Sequence, residues 1–299
     1  MKKFLVWLML LCLLLPAAGA EEAAAQTEEA AVWHLPVDFS AGPKANPENY
    51  TKDTYEDESL SVRMETRNID RVRYSIAWIK VKSPTQLRTY TAGKPNEVRL
   101  ARPSRMARNQ NAVVAINGDY YVERKDGLIF RQGVSYRYLL NEEKDSLVID
   151  ENGNFHNFVG SKADEILAFV KEGHQIVNAF TFGPSLVKNG EILPLPDTYL
   201  TRFNSTTRNP RMVIAQMGPL EYVFVEAQGR NDVSRGVTME QMAQFMYDLG
   251  AIEAYNLDGG NSCVMTFNGK YYDSNYAGSE RDQSDVIYVV SAVPEDTWQ

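Results

Sequence analysis

Residues 254–272 read AYNLDGGNSCVMTFNGKYY: a short apolar run delivers Asn256 and Asp258 into a Gly259-Gly260 bend, and a second apolar run leaves it. Runs of this length bounded by turn residues predict strands, so the segment reads as strand, polar turn, strand. Just upstream, Thr238 to Leu249 predicts a helix. Thr238 and Gln241 form a capping-box pair, Met242, Phe245, Met246 and Leu249 make an i, i+3, i+4, i+7 stripe, and Gly250 ends it. A second helix is expected from Ser161 to Glu172, with Ser161 as cap, Ile166, Leu167, Phe169 and Val170 inside and Gly173 as stop. Elsewhere strand patterns dominate: Leu60, Val62 and Met64 alternate with polar residues, and VRYSIAWIKVK (72–82) behaves alike. A few helices among many short strands predict an α+β fold with mixed or antiparallel sheets in one catalytic domain.

The N-terminus has the pattern of a secretory signal over residues 1–20. Lys2 and Lys3 precede a 12-residue apolar run from Phe4 to Leu15, and Ala18-Gly19-Ala20 offers a cleavage site. That run is short of the roughly 20 residues that span a bilayer, although an uncleaved anchor is the alternative, and no later segment reads as a membrane span. Residues 21–54, opening with EEAAAQTEEAA, read as a solvated tether, and 55–299 as the domain. A secreted or extracytoplasmic location follows. Cleavage would move the formal charge from -8 to -10, which argues against nucleic-acid partners. Of the 2 cysteines Cys12 falls in the signal, so Cys263 is left without a disulfide partner. It reads as a small buried hydrophobe, because His34, His156 and His174 all lie far from it in sequence.

Three segments carry candidate chemistry. In VVAINGDYY (113–121) the Asn117-Gly118-Asp119 turn suits either a hairpin bend or a binding site, and Asn-Gly recurs at 152–153, 189–190 and 268–269 as a turn device. The Asp258-Gly259-Gly260 bend suits either a tight connection in which Asp258 caps its own backbone, or a ligand site crowded by Asn256, Asn261 and Ser262. In RNPRMVIAQ (208–216) Arg208 and Arg211 flank Asn209-Pro210, and Arg230 follows the next strand; planar guanidinium groups suit bidentate binding of phosphate, Arg208 reading more simply as a surface residue. The ligand positions of an EF-hand are absent and no His-rich or Cys-rich metal spacing occurs.

The order of AINGDYY (115–121), FRQGV (130–134), TFGPSLVKNG (181–190), NPRMVIAQ (209–216), EAQGR (226–230), AYNLDGGNSC (254–263) and RDQSDVIYVV (281–290) resembles the phosphodiester glycosidase family over about residues 59–292. The resemblance implies an α+β fold with these turns gathered at one end, and an exported hydrolase that removes a sugar, such as N-acetylglucosamine, from a phosphodiester in an envelope or exopolysaccharide glycan. It implies no required cofactor, while leaving room for a divalent cation. On this basis the catalytic candidates are Asp258, then Asp119, with Arg211 on the phosphodiester and Glu226 as a second carboxylate. Asn117, Gly118, Arg230, Asn256, Gly259, Gly260, Asn261 and Ser262 are the binding candidates. Departures from the family pattern are Met212 in place of Thr or Ser, Ala215 in place of Gly, Gln228 in place of Asp, and Asn261-Ser262-Cys263 in place of a third Gly followed by Ser-Ser or Ser-Thr. A non-catalytic binder of phosphate-containing glycan is the rival expectation, and a metal-dependent phosphodiesterase a third.

Overall fold

The structure, a computed structural model, describes residues 41–95, 97–195, 206–272 and 280–298. The expected signal lies outside these residues, as does most of the expected tether. The end of that tether, from residue 41, instead packs on the domain: Asn46 caps a turn at Pro47–Asn49, and the Tyr50 ring lies 4.6 Å from that of Tyr55 and 5.4 Å from that of Phe267. Polar composition hid Tyr50, which has a core to join.

The fold is α+β, with every described strand pairing antiparallel in three sheets. The largest has eight strands in the order Thr54–Glu56, Leu60–Ile69, Val72–Val81, Glu221–Ala227, Arg211–Gly218, Glu253–Asn256, Ser185–Lys188 and Glu191–Ile192. A five-stranded sheet runs Val134–Leu139, Gly127–Arg131, Asn178–Phe180, Ser146–Ile149, Phe155–Phe158. The other, also five-stranded, runs Lys270–Tyr271, Met265–Phe267, Val114–Asn117, Asp285–Val289, Leu87–Thr91.

Side chains alternate across each strand, so each sheet has two faces to cover. The inner faces share one core, in which Val62, Ile79, Ile214 and Phe224 of the large sheet meet Leu147, Ile149 and Phe180 of the second and Ile116, Met265 and Ile287 of the third. Among the described residues, three helices cover the outer faces. Helix α1 (Pro103–Asn109) sets Met106 and Ala107 on Ala115 and Tyr288. Helix α2 (Ala163–Lys171) sets Ile166 and Phe169 on Leu128, Val148 and Ala179. Helix α3 (Met239–Asp248) sets Met242 and Met246 on Val213, Val225 and Ala254. This double coverage explains why strands such as VAIN (114–117) are buried at every position.

Helix α3 has the expected capping box, Thr238 accepting from Gln241 N–H and Gln241 reaching back. Helix α2 departs from expectation: its N-cap is Lys162 with no side-chain cap, while Ser161 turns inward to the Lys144 carbonyl at 2.6 Å. Leu167 and Val170, expected inside, are 49% and 46% exposed, because only one narrow face of α2 meets the sheet. Helix α1 has two apolar side chains in a seven-residue span, too few to register as a stripe.

At the junction of the two smaller sheets lies a cluster with no solvent access. Arg131 ends one strand of the second sheet. Its Nη2 lies 2.7 Å from Asp119 Oδ1 and 2.7 Å from Asp285 Oδ2, and its Nε donates to Asp285 Oδ2 at 2.9 Å. Its Nη1 donates to the carbonyls of Phe130 and Ala179, while Asp119 Oδ2 accepts from Thr181 N–H at 3.1 Å. One cation faces two carboxylates here. Burial pushes the Asp285 carboxyl up to about 6; Arg131 pulls it down and the charge of Asp119 adds to the rise.

A folded-state value above the ordinary 3.8 means that the native protein binds this proton more tightly than the unfolded chain. The stabilisation is therefore complete below pH about 4 and is lost as pH rises through about 6, so in urea titrations wild type should lose stability relative to Asp285→Asn across that window. Arg131→Met, which leaves two facing buried carboxylates, should cost about 3–5 kcal/mol at pH 8. Below pH 4, where Asp285 is protonated, the same measurement should give a smaller loss.

Candidate active site

The register of the large sheet assembles the site. Arg211 pairs with Ala227 and Val213 with Asn256, so the start of one strand and the ends of its two neighbours lie at the same edge. Segments far apart in the chain, 207–211, 228–230 and 256–262, therefore converge. There they line a cleft of about 170 Å³ with Phe182, Gly183, Asn209, Arg211, Arg230, Met239, Asn256, Asp258, Gly259 and Gly260 at its walls.

Asp258 Oδ1 accepts the N–H of Gly259 at 2.9 Å, so the carboxylate does cap its own turn while also lining the cleft. Burial pushes the Asp258 carboxyl up, offset in part by the Ser262 hydroxyl and by the positive charges of Arg124 and Arg281. In the same cleft, burial brings the Arg211 guanidinium down to about 10, and Arg230 acts in the same sense. Arg211 stays protonated at neutral pH, donating through Nη2 to the Thr207 carbonyl at 3.2 Å. Arg230 is held over the turn by Asn209 Oδ1, which accepts from its Nε at 3.0 Å and also from its Nη2, and by Asn261 Oδ1 at 3.4 Å. Asn256 is 1% exposed; its Nδ2 donates to the Gly183 carbonyl at 2.8 Å, and its Oδ1 has no hydrogen-bond partner among the described residues. A buried acceptor of this kind at a cleft wall is open to a donor from a ligand.

The glycines serve close approach. A Cβ on Gly259 would stand 2.8 Å from the Pro210 carbonyl oxygen, which accepts the N–H of Gly260 at 2.9 Å. Both amides of the turn are thus engaged within the protein and hold Asp258 against the Arg211 strand, where backbone contact with a ligand was expected.

Other expected site residues stand behind this wall. Asn117 is fully buried and clasps the turn: its Nδ2 donates to the Asp258 carbonyl at 2.9 Å, and its Oδ1 accepts from Val264 N–H at 3.1 Å. Neither Asn117 nor Gly118 has positive φ, whereas Gly153, Asn189, Gly190, Asn268 and Gly269 do, so the repeated Asn-Gly pairs are turns and this one is no hairpin. Its strand pairs with chain-distant partners, Met265–Phe267 and Asp285–Val289. Gly118 leaves room for Asp285, whose Oδ2 would sit 2.1 Å from a Cβ there. Asp119 belongs to the sealed Arg131 cluster and faces no cleft. Glu226, 3% exposed, lies on the inner face opposite Met212. Its charge, with those of Asp258, Arg211 and Arg230, acts on the buried Cys263 thiol, which burial holds well above its ordinary range. Ser262 is buried and accepts from Arg281 Nη1 at 3.3 Å. Asn261 is exposed.

Sequence reasoning passed over Arg124 and Arg281. The Arg124 guanidinium lies 4.0 Å over the Phe182 ring and donates to the Thr181 carbonyl at 2.8 Å, while that of Arg281 lies 4.4 Å over Tyr120. Arg281 stands within the quoted RDQSD segment, but only the fold brings it to Asp258. Arg208, read as a surface residue, is half-buried and donates to the Gly236 carbonyl at 3.1 Å.

A half-buried carboxylate whose proton affinity is raised by its surroundings thus lines one cleft together with two guanidinium groups. The chain belongs to the phosphodiester glycosidase family, whose model matches residues 110–290. It is 27% identical over 199 residues to the SPbeta prophage-derived uncharacterized protein YomE of Bacillus subtilis (strain 168), a match that takes in 64% of this chain but only 29% of YomE. Its fold is similar to the zebrafish N-acetylglucosamine-1-phosphodiester alpha-N-acetylglucosaminidase catalytic domain, auto-inhibited by its pro-peptide, with a TM-score of 0.59 and 19% identity, covering 85% of this chain and 87% of that one. A hypothetical protein from Synechocystis gives a TM-score of 0.59 at 16% identity, over 78% of this chain and 62% of that one. Among the described residues no helix is long and apolar enough to cross a membrane.

A carbon-13 titration of the Asp258 carboxyl, assigned by its loss in Asp258→Asn, should give a value above the ordinary 3.8. Arg124→Gln and Arg281→Gln should each raise it further, since each removes a charge that favours the ionised form.

Proposed function

We propose that this protein is an exported hydrolase of sugar-1-phosphodiesters, with an N-acetylglucosamine-phosphodiester-like linkage of an envelope or extracellular glycan as its substrate class. The observation that carries this reading is the convergence of Arg211, Arg230, Asn256 and Asp258 on one cleft. A cation-rich cleft in a chain of formal charge -8 is suited to an anionic substrate. Export rests on the charged and apolar pattern of residues 1–20.

The leaving group is a phosphate monoester, a weak base that departs without a strong proton donor. Guanidinium groups can supply much of the assistance that an ordinary glycoside draws from an acid. In this reading Arg211 and Arg230 hold the phosphodiester. They stabilise the charge that gathers on the bridging oxygen as its bond to the anomeric carbon breaks, the electron pair leaving with phosphate. Asn256 Oδ1 accepts from a sugar hydroxyl and orients the ring. The Asp258 carboxylate acts at the anomeric carbon as nucleophile, or takes a proton from the water that attacks it, and its raised proton affinity suits it to the latter task. The sugar gains hydroxyl from water and the phosphate monoester carries the negative charge away. No step calls for a metal or cofactor.

With a UDP-sugar or a sugar-phosphate diester as substrate, Asp258→Asn and Arg211→Ala should each lower kcat/KM by about 10²–10³ or more while circular dichroism stays native. Full activity in the folded variants would defeat the assignment. Retention of sugar phosphate by wild type without any release of free sugar would point instead to a glycan binder. Chelator-sensitive cleavage of the phosphorus–oxygen bond, identified from the released phosphate, would point to a phosphodiesterase.

A further inference from the structure

Two of the histidines set aside in the sequence reading meet carboxylates at a turn away from the cleft. Asp150 and Glu151 follow the strand Ser146–Ile149, His156 lies on the adjacent strand Phe155–Phe158, and His174 follows helix α2. His156 Nε2 stands 3.0 Å from Asp150 Oδ2, and His174 Nδ1 stands 3.9 Å from Glu151 Oε1. One ligand atom each of Asp150, Glu151 and His174 lie within 4.8 Å of one another. None of the four residues lines the Asp258 cleft.

We propose that Asp150, Glu151, His156 and His174 form a structural site for a divalent transition metal, zinc above all. Zinc bound tetrahedrally at about 2.0–2.1 Å from each ligand separates neighbouring ligand atoms by roughly 3.3 Å. The 3.0 Å and 3.9 Å separations bracket that edge for two of the pairs, and Asp150, Glu151 and His174 already lie together; His156 stands outside that group of three, so its imidazole must swing toward the ion as it binds. Two carboxylates and two neutral imidazoles also balance its double positive charge, and imidazole nitrogen favours zinc over calcium or magnesium.

The surroundings fix the donors as a metal site requires. Asp150 Oδ1 is anchored by the N–H groups of Asn152 and Asn154 at 2.9 and 2.8 Å, while Oδ2 faces His156 and also accepts from Asn154 Nδ2 at 3.4 Å. Glu151 Oε2 accepts Gln175 N–H at 2.8 Å, leaving Oε1 toward His174. Phe169 orients both imidazoles, stacking on His174 at 4.5 Å and tilting against His156 at 4.7 Å. The Asp150 side chain is 1% exposed, whereas those of His156 and His174 are 32% and 37% exposed, so an ion has a route in. Four protein ligands would close the coordination sphere, tying the turn at 150–154 to the end of α2 rather than serving catalysis.

The test is calorimetric titration of the full chain, purified without a histidine tag, with zinc chloride, beside the visible spectrum of the protein titrated with cobalt chloride. Wild type should bind one zinc per chain, show the absorption of four-coordinate cobalt, and gain thermal stability that chelator removes. His156→Ala and His174→Ala should each weaken zinc binding by about 10-fold or more. His34→Ala should leave it unchanged. Absence of stoichiometric binding by wild type, binding as tight in the double variant as in wild type, or an octahedral cobalt spectrum would overturn the proposal. The cobalt spectrum and stoichiometry of wild type decide the matter even if a histidine variant fails to fold.

Discussion

The interaction on which the site depends is the sealed contact between the Arg131 guanidinium and the carboxylates of Asp119 and Asp285. An isolated charge with no solvent access would be prohibitive, so the three groups must be placed together or not at all. Each hangs from the end of a different strand, and their meeting fixes how the two smaller sheets join. The constraint then passes outward. The Asp285 carboxylate fills the space over Gly118, and Gly118 in turn gives its carbonyl to the N–H of Asp258 at 3.3 Å. A cluster that never meets substrate therefore sets the backbone that presents the carboxylate of the cleft.

Asn117 completes that support. Because its amide joins the Asp258 carbonyl to the Val264 N–H, it holds both ends of the turn, while Pro210 holds the middle through Gly260. The turn is thus pinned between a strand of the third sheet and the Arg211 strand of the large one. Rigid support of this kind suits a reaction in which a carboxylate and guanidinium groups must sit on opposite sides of a breaking bond. It also explains why so many polar residues crowd the segment: several are there to position others.

How much of this was legible in the sequence follows from what each residue answers to. The capped helix α3 and the hairpin at Leu60–Val81 follow local rules, and both formed as their patterns predict. The gathering of Arg211, Arg230, Asn256 and Asp258 was an implication of the family resemblance and of no local pattern; the register of the large sheet brings them to one end. The partition between residues that line the cleft and residues that prop it was not legible, since Asn117 and Asp119 carry the same polar chemistry whether they face water or the interior. Arg131 and Asp285 lay in quoted segments, FRQGV and RDQSDVIYVV, yet nothing local says that residues 154 apart in sequence will pair. Arg124 and Arg281 were hidden by the same distance.

The departures from the family pattern can now be sorted by position. Met212 and Ala215 are both fully buried, Met212 in the common core and Ala215 under helix α3, so they alter packing and leave the cleft wall alone. Cys263 and Gln228 are different. Cys263 lies amid the charges of Glu226, Asp258, Arg211 and Arg230, and a thiol held neutral by burial adds no charge to that balance. Gln228, 3% exposed, replaces an acid with a neutral amide beside Gly229 and Arg230. Under the proposed function, an amide at 228 can supply neither general base nor nucleophile, and that role falls to Asp258.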